Sequence, residues 1–336
     1  MSEKSGIAKG IIFYLISIVL LVLTFGNPIL FFLLVPAAAA FAYAASSYIS
    51  FNPAVVLLVG GALSYIITAD MWYTVLLIVF SCILVIVFKL ACAKNFSLTT
   101  TVGWGTLISS VFIAGIFLLM VYLANGKPDL SFITDPIRQF GNQFIADTQE
   151  SFKALAGMYG TGDEELSEML NMLSSEYRVI IDNIIKSLPG LFIALVMICT
   201  YLSNLLSRLL SRKAKRPLRS EGLFGIRLPG LIGISFVIGY ILLLFVDGRF
   251  ASIVMNYLII FELPLLCEGI GTVYGVITMK WTKAWVKALV IIGTIFTLFN
   301  LLFNMSWLFL CIGAMDTYTD FRGRLKKRMN KNQEDK

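Results

Sequence analysis

Nine stretches of the chain are too uniformly apolar to lie in water: about 7 to 25, 29 to 48, 53 to 69, 72 to 91, 100 to 124, 188 to 210, 229 to 246, 250 to 278 and 288 to 318. A helix that crosses a bilayer needs roughly 20 predominantly apolar residues. The runs therefore predict an all-α fold, a polytopic transmembrane helical bundle of about nine to ten membrane segments. A length of 336 residues would otherwise suggest two soluble domains, but 58% hydrophobic and 14% charged residues exclude that reading. The first run follows Lys4 and Lys9 and looks at first like a signal peptide. Gly26-Asn27-Pro28 stands where a small-residue cleavage site would be needed, so the run is read as the first membrane helix.

Breaks between runs have a chemical cause. Gly26-Asn27-Pro28 and Phe51-Asn52-Pro53 separate the first three, because the residue before proline leaves the helical region and proline suits the first turn of the next helix. The alanines after Pro36 and the pair Gly60-Gly61 are small enough for close backbone approach in lipid, which predicts tight packing of the second and third runs.

Between Lys127 and Ser187 the character changes. Ten acidic and five basic residues give this insertion a charge of −5, and it holds half of all the acids. Asp135-Pro136 reads as the start of one amphipathic helix, with Ile137, Phe140, Phe144, Phe152, Leu155 and Tyr159 on its stripe. A second starts near Asp163-Glu164-Glu165, where acids favour the helix dipole, and runs through Leu170, Leu173, Tyr177, Ile180 and Ile184. Gly160 and Gly162 mark the turn. The two stripes close a hairpin, lie on the membrane surface or contact a partner.

Charge then fixes the topology. With the N-terminus inside, five spans place 127 to 187 outside, and the sixth returns to a basic loop of Arg208, Arg212, Lys213, Lys215, Arg216, Arg219 and Arg227. The last run has 31 residues, roughly 46 Å as one helix and too long for a ~30 Å core. It is expected to break near Phe303-Asn304, which brings the basic tail inside as well. Twenty-one of the 27 basic residues then lie inside, so the net charge of +7 needs no nucleic acid to explain it. The lipid bilayer is the expected surrounding, and the chain divides into a five-helix membrane half (1–126), the helical extracytoplasmic insertion (127–187), a second membrane half (188–320) and a basic cytoplasmic tail (321–336). The expected location is the bacterial cytoplasmic membrane.

Little in the chain suits catalysis. There is no histidine, the five cysteines show no C-x-x-C spacing, and no phosphate-binding loop of the G-x-x-x-x-G-K-[ST] type occurs. No enzyme activity, cofactor or metal is expected. The notable stretch is Tyr257 to Tyr274, where Glu262 and Glu268 lie deep in an apolar run, about 9 Å apart along a helix. Acids at such depth cost on the order of 2.5 to 3.5 kcal/mol, so they face a protein interior, pair, or line a polar cavity. Pro264 beside them is expected to break the helix and free a carbonyl, with Gly269, Gly271 and Gly275 as packing or break positions and Asn256, Asn300 and Asn304 as companions. Of the two acids, Glu262 lies nearer the midplane.

Leu188-Pro189 after the insertion, the basic loop before Leu228-Pro229, Asn256, Glu268-Gly269, and the ending Gly313, Asp316, Asp320, Phe321, Arg322 together resemble the YybS-like family of bacterial membrane proteins, which carry a domain of unknown function. At the Glu268 position many relatives are expected to carry glutamine, which implies a need for a hydrogen-bonding side chain. The N-terminal half of that family is similar to the substrate-binding subunits of energy-coupling-factor transporters. That likeness implies a bundle that binds a small molecule, its ligand unknown, with energy from separate ATPase subunits. The function expected is thus a transport-type or ligand-binding membrane subunit; the alternative is a structural or regulatory protein that assembles partners through its extracytoplasmic helices and basic surfaces.

Overall fold

A computed structural model describes residues 3–127, 130–159, 163–212, 214, 218, 225–280 and 306–324. Among these the chain forms ten helices and no strand: α1 (Glu3–Val22), α2 (Pro28–Tyr48), α3 (Pro53–Thr68), α4 (Met71–Lys94), α5 (Leu98–Asn125), α6 (Ser131–Tyr159), α7 (Asp163–Ser211), α8 (Gly230–Leu243), α9 (Gly248–Lys280) and α10 (Ser306–Thr319). Five of them contain stretches long and apolar enough to cross a membrane, in α2, α4, α5, α7 and α9, and shorter apolar stretches lie in α1, α3 and α8. The protein is a polytopic helical bundle.

The Asn-Pro turns work as the sequence indicates. Asn27 caps α2, its side chain accepting from the N–H groups of Ile29 and Leu30, and Asn52 caps α3 by accepting from Ala54. Each places proline at the first helical position, where no N–H is needed.

Contacts fix the direction of each helix. Ser17 donates to the carbonyl of Ala38 and Gly10 packs against Ile49, so α1 and α2 are antiparallel. Cys199 and Ser203 of α7 donate to the carbonyls of Phe32 and Pro36, and the Tyr48 hydroxyl donates to Leu210, so α2 and α7 are parallel. Gly269 and Gly313 meet backbone to backbone, and Thr272 bonds Asp316, so α9 and α10 are parallel too. One face of the bundle, the basic face, thus collects the ends of α2, α4, α7, α9 and α10. The break expected near Phe303-Asn304, like the turn at Gly160 and Gly162, lies outside the described residues.

Several local expectations are corrected. The first amphipathic helix starts at Ser131, not at Asp135-Pro136. Pro136 lies so near the start that it forfeits only one helical bond. Leu188-Pro189 opens no new span, because α7 runs unbroken for 49 residues from the acidic insertion into the membrane, with Pro189 inside it. At the helical rise this is about 74 Å, more than twice the ~30 Å hydrocarbon layer. Pro264 likewise sits inside a continuous α9. The glycines of α3 do not approach α2: Gly60 faces Leu21 of α1 and Gly61 faces Ile78 of α4. Their missing side chains let α1 and α4 close on α3 instead.

Of the three fates left open for the amphipathic stripes, α6 and α7 pair with each other. Phe144 stacks edge-on with Tyr177 at 5.4 Å, Gly141 lies under Ile181, and Arg138 is 3.8 Å from Asp182. Residue numbers rise on one helix as they fall on the other, which is antiparallel pairing. The main core lies in the N-terminal half, around Leu57, Leu77, Phe80, Leu84 and Phe88, and takes in Val196 and Cys199 of α7.

The α9–α10 contact generates a test. A Cβ on Gly269 would come 1.9 Å from the Phe309 carbonyl oxygen, and one on Gly313 would come 2.1 Å from that of Leu265. Gly269→Ala is expected to destabilise the purified protein by about 1–3 kcal/mol, the usual cost of overpacking, read as a lower Tm. Gly115→Ala, whose Cβ meets nothing within 4 Å, is expected to melt like the parent. Equal melting of the two variants would contradict the packing.

Candidate intramembrane site

Glu268 and Asp316 are brought together with Arg322. Helix α9 supplies Glu268 and Thr272 from one face, one turn apart, and α10 supplies Asp316 from its last turn. Asp320 then takes a left-handed backbone, φ 44°, which turns the chain so that Arg322 reaches back. The Arg322 Nε lies 2.6 Å from Asp316 Oδ2 and its Nη2 lies 3.3 Å from Glu268 Oε1. All three are buried, with 2%, 5% and 8% exposure for Glu268, Asp316 and Arg322.

Surrounding donors complete the cluster. The Thr272 hydroxyl donates to Asp316 Oδ2 at 2.7 Å, the Arg322 backbone N–H donates to Asp316 Oδ1 at 3.2 Å, and the Leu228 N–H donates to Glu268 Oε2 at 2.9 Å. Arg322 Nη2 also donates to the carbonyl of Ile226 at 3.2 Å. The loop before α8 is thereby tied to α9 and to the residues after α10. Arg227 anchors the same loop on the other side, its N–H donating to Thr99 at the start of α5. Placing Arg322 in a separate tail is thus corrected: it belongs to the bundle.

The other expected site residues lie elsewhere. Glu262 is half-buried and has no hydrogen bond or ion pair among the described residues. Asn256 is no companion to it. Its carboxamide accepts from the Gly190 N–H at 2.5 Å and donates to the Lys186 carbonyl at 2.8 Å, two groups that are i and i−4 partners in a regular helix. It therefore braces α7 beside Pro189, as an inserted side chain does where proline disturbs the ladder. Gly190 is required for this, since a Cβ would fall 2.7 Å from Asn256 Oδ1. Asp320 lies outside the cluster: its carboxylate accepts from the Gly323 N–H at 3.2 Å and stands 3.8 Å from Arg227 in an exposed pair. Gly271 is buried, and Gly275 leaves ordinary room for the stem of Arg322 at 3.5 Å.

A groove of about 530 Å³ runs between α9 and α10, with Val273, Val276 and Met315 on its walls and Thr272 and Asp316 at its polar end. The larger cavity, about 860 Å³, lies at the basic face where α2 turns into α3 beside the end of α4. Its lining includes Tyr43, Ser47, Tyr48, Asn52, Lys89 and Cys92. Glu262, Glu268 and Asn256 line neither of the two. Sequence reasoning missed this site because its residues look like ordinary helix ends; the one signal was a lysine inside an apolar run.

Helices crossing a membrane, a buried cluster of two acids around one arginine, and an open cavity define a polytopic membrane protein whose buried charges serve the fold. The chain belongs to the family of predicted membrane proteins called DUF2232, whose model matches residues 15–317. Comparison with curated proteins and with solved structures yields no match.

Arg322→Met would leave two carboxylates buried without their cation. Removing one partner of a buried ion pair costs about 3–5 kcal/mol, so this variant is expected to show the largest fall in Tm. Glu268→Gln, which keeps an acceptor and loses the excess charge, is expected to fall less. Arg227→Gln breaks only an exposed pair and is expected to stay within about 1 kcal/mol of the parent. Thermal melts in one detergent check the order, and an unchanged Arg322→Met would contradict the assignment.

Proposed function

We propose that the protein is a ligand-binding membrane subunit of transport type that works without an ATPase or catalytic activity of its own. The observation that carries this is the cavity of about 860 Å³ between α2, the α2–α3 turn and α4. It falls within the range of small-molecule sites, about 300–1,000 Å³, and its walls have the usual character of such sites, mostly apolar or aromatic with a few polar groups. The glutamates of α9 do not line it, and Glu268 ties α9 to Arg322 and to the loop before α8. Energy for any transport would come from separate partner subunits. The basic face, which carries Lys89, Lys94, Arg208, Arg212 and Arg227, is assigned to the cytoplasm of a bacterium by the positive-inside rule. The α6–α7 hairpin then projects on the outer side.

One observation favours assembly as a second reading. Phe140, Met172, Val179 and Ile180 are exposed on the α6–α7 hairpin. Exposed apolar groups of this kind are used to recruit partners.

Purified protein screened against vitamins and metabolites is expected to show a ligand-dependent rise in Tm. Ser50→Trp, at the exposed lip of the cavity, is expected to abolish it. A flat screen, combined with a stable partner crosslinked through residues 132–186, would favour assembly instead.

A further inference from the structure

We propose that the cavity at the α2–α3 turn binds a phosphate group, carried by an anionic phospholipid or by a soluble phosphate ester; the inference rests on the ligand-binding reading above. Three observations point the same way. The first is charge: Lys89 is the only charged side chain among the described residues lining the cavity. It is exposed, and no carboxylate pairs with it among the described residues. A lysine about one and a half turns inside an apolar helix extends its ammonium toward the membrane surface, here into the cavity.

The second is an unanswered donor. Tyr43 is 2% exposed and lines the cavity beside the Cys92 thiol, yet its hydroxyl has no hydrogen-bond partner among the described residues. A buried hydroxyl left alone is costly, and a ligand oxygen at this wall would satisfy it. The neighbouring Ser46 and Ser47 direct their own hydroxyl protons to the Tyr43 carbonyl. The third is the α3 N-terminus. Asn52, its cap, lines the cavity, so the positive end of a 16-residue helix faces the same space.

A cation, a hydroxyl donor and a helix N-terminus select an anion, and the position narrows the choice. The cavity lies at the basic end of the helices, where lipid phosphates are found, and basic pockets between membrane helices on that side hold anionic headgroups. Tyr48, Ile49 and Phe51 add an apolar and aromatic rim, which suits an amphiphile better than a bare ion. A soluble phosphate ester would use the same polar contacts without the rim.

The test uses the full-length protein in nanodiscs of phosphatidylcholine, with and without phosphatidylglycerol, and separately with added glycerol 3-phosphate. Native mass spectrometry reads retained lipid, and thermal melting reads both probes. Lys89→Gln is expected to weaken binding about tenfold and Tyr43→Phe several-fold. Lys89→Arg is expected to retain most of it, and Lys94→Gln, at a residue that does not line the cavity, to leave it unchanged. Retention of phosphatidylglycerol that depends on Lys89 identifies a lipid headgroup; a Lys89-dependent shift with glycerol 3-phosphate alone identifies a soluble ester. A neutral ligand blocked by Ser50→Trp but indifferent to Lys89→Gln would overturn the phosphate assignment and leave ligand binding standing. If neither these probes nor any screened metabolite binds, both readings fall.

Discussion

A polar group carried into hydrocarbon must find its partner inside the protein, and the architecture follows from that requirement. It makes every described crossing a helix and sends serine and threonine hydroxyls back to their own helix carbonyls, as in Ser81 and Thr200. It also explains how Pro189 is tolerated in α7, where the Asn256 carboxamide braces the two backbone groups beside it. The strongest case is Arg322. A guanidinium with five donors in a fixed fork can serve two carboxylates and a carbonyl at once, so one side chain joins the loop before α8, α9 and the end of α10. Glu268 and Asp316 are therefore absorbed by the fold. The Tyr43 hydroxyl is among the polar groups that are not, and it sits at the wall of the α2–α3 cavity.

Helix α7 connects the two membrane halves. Its N-terminal part pairs with α6, its apolar part packs on α2, α4, α5 and α9, and its last turns reach the basic face near Tyr48. A single continuous helix thus links the α6–α7 hairpin to the face that carries the proposed ligand site. Residues 226–228, just before α8, are held on both sides, by Thr99 of α5 and by the Glu268–Arg322 cluster. The N-terminal unit and the α8–α10 unit meet there through Leu98, Val102, Met197 and Ile226.

Much of this was legible in the residues. Apolar runs marked the membrane helices, Asn-Pro pairs marked the caps of α2 and α3, and the acid-rich start at Asp163 marked α7, because each signal is local. The misreadings share a physical cause. Pro136 and Pro189 read as helix starts and Pro264 as a break, whereas a proline inside a packed bundle interrupts one bond that neighbours or position can compensate. The pairing of Glu268 with Arg322 joins residues 54 positions apart, and no periodicity encodes such a contact. Glu262 drew attention for its depth and proved half-buried and unpaired, while Asn256 turned from an acid's companion into a brace for α7. Lys89 was overlooked because only the folded turn of α2 into α3 shows that it faces a cavity.

The account rests on the cavity being a ligand site, and the most direct measurement is an experimental density map of the protein extracted from its own membrane without delipidation. The account predicts density in the α2–α3 cavity in contact with Lys89 and the Tyr43 hydroxyl. A well-resolved cavity closed by its own side chains, or filled only with water, would contradict it.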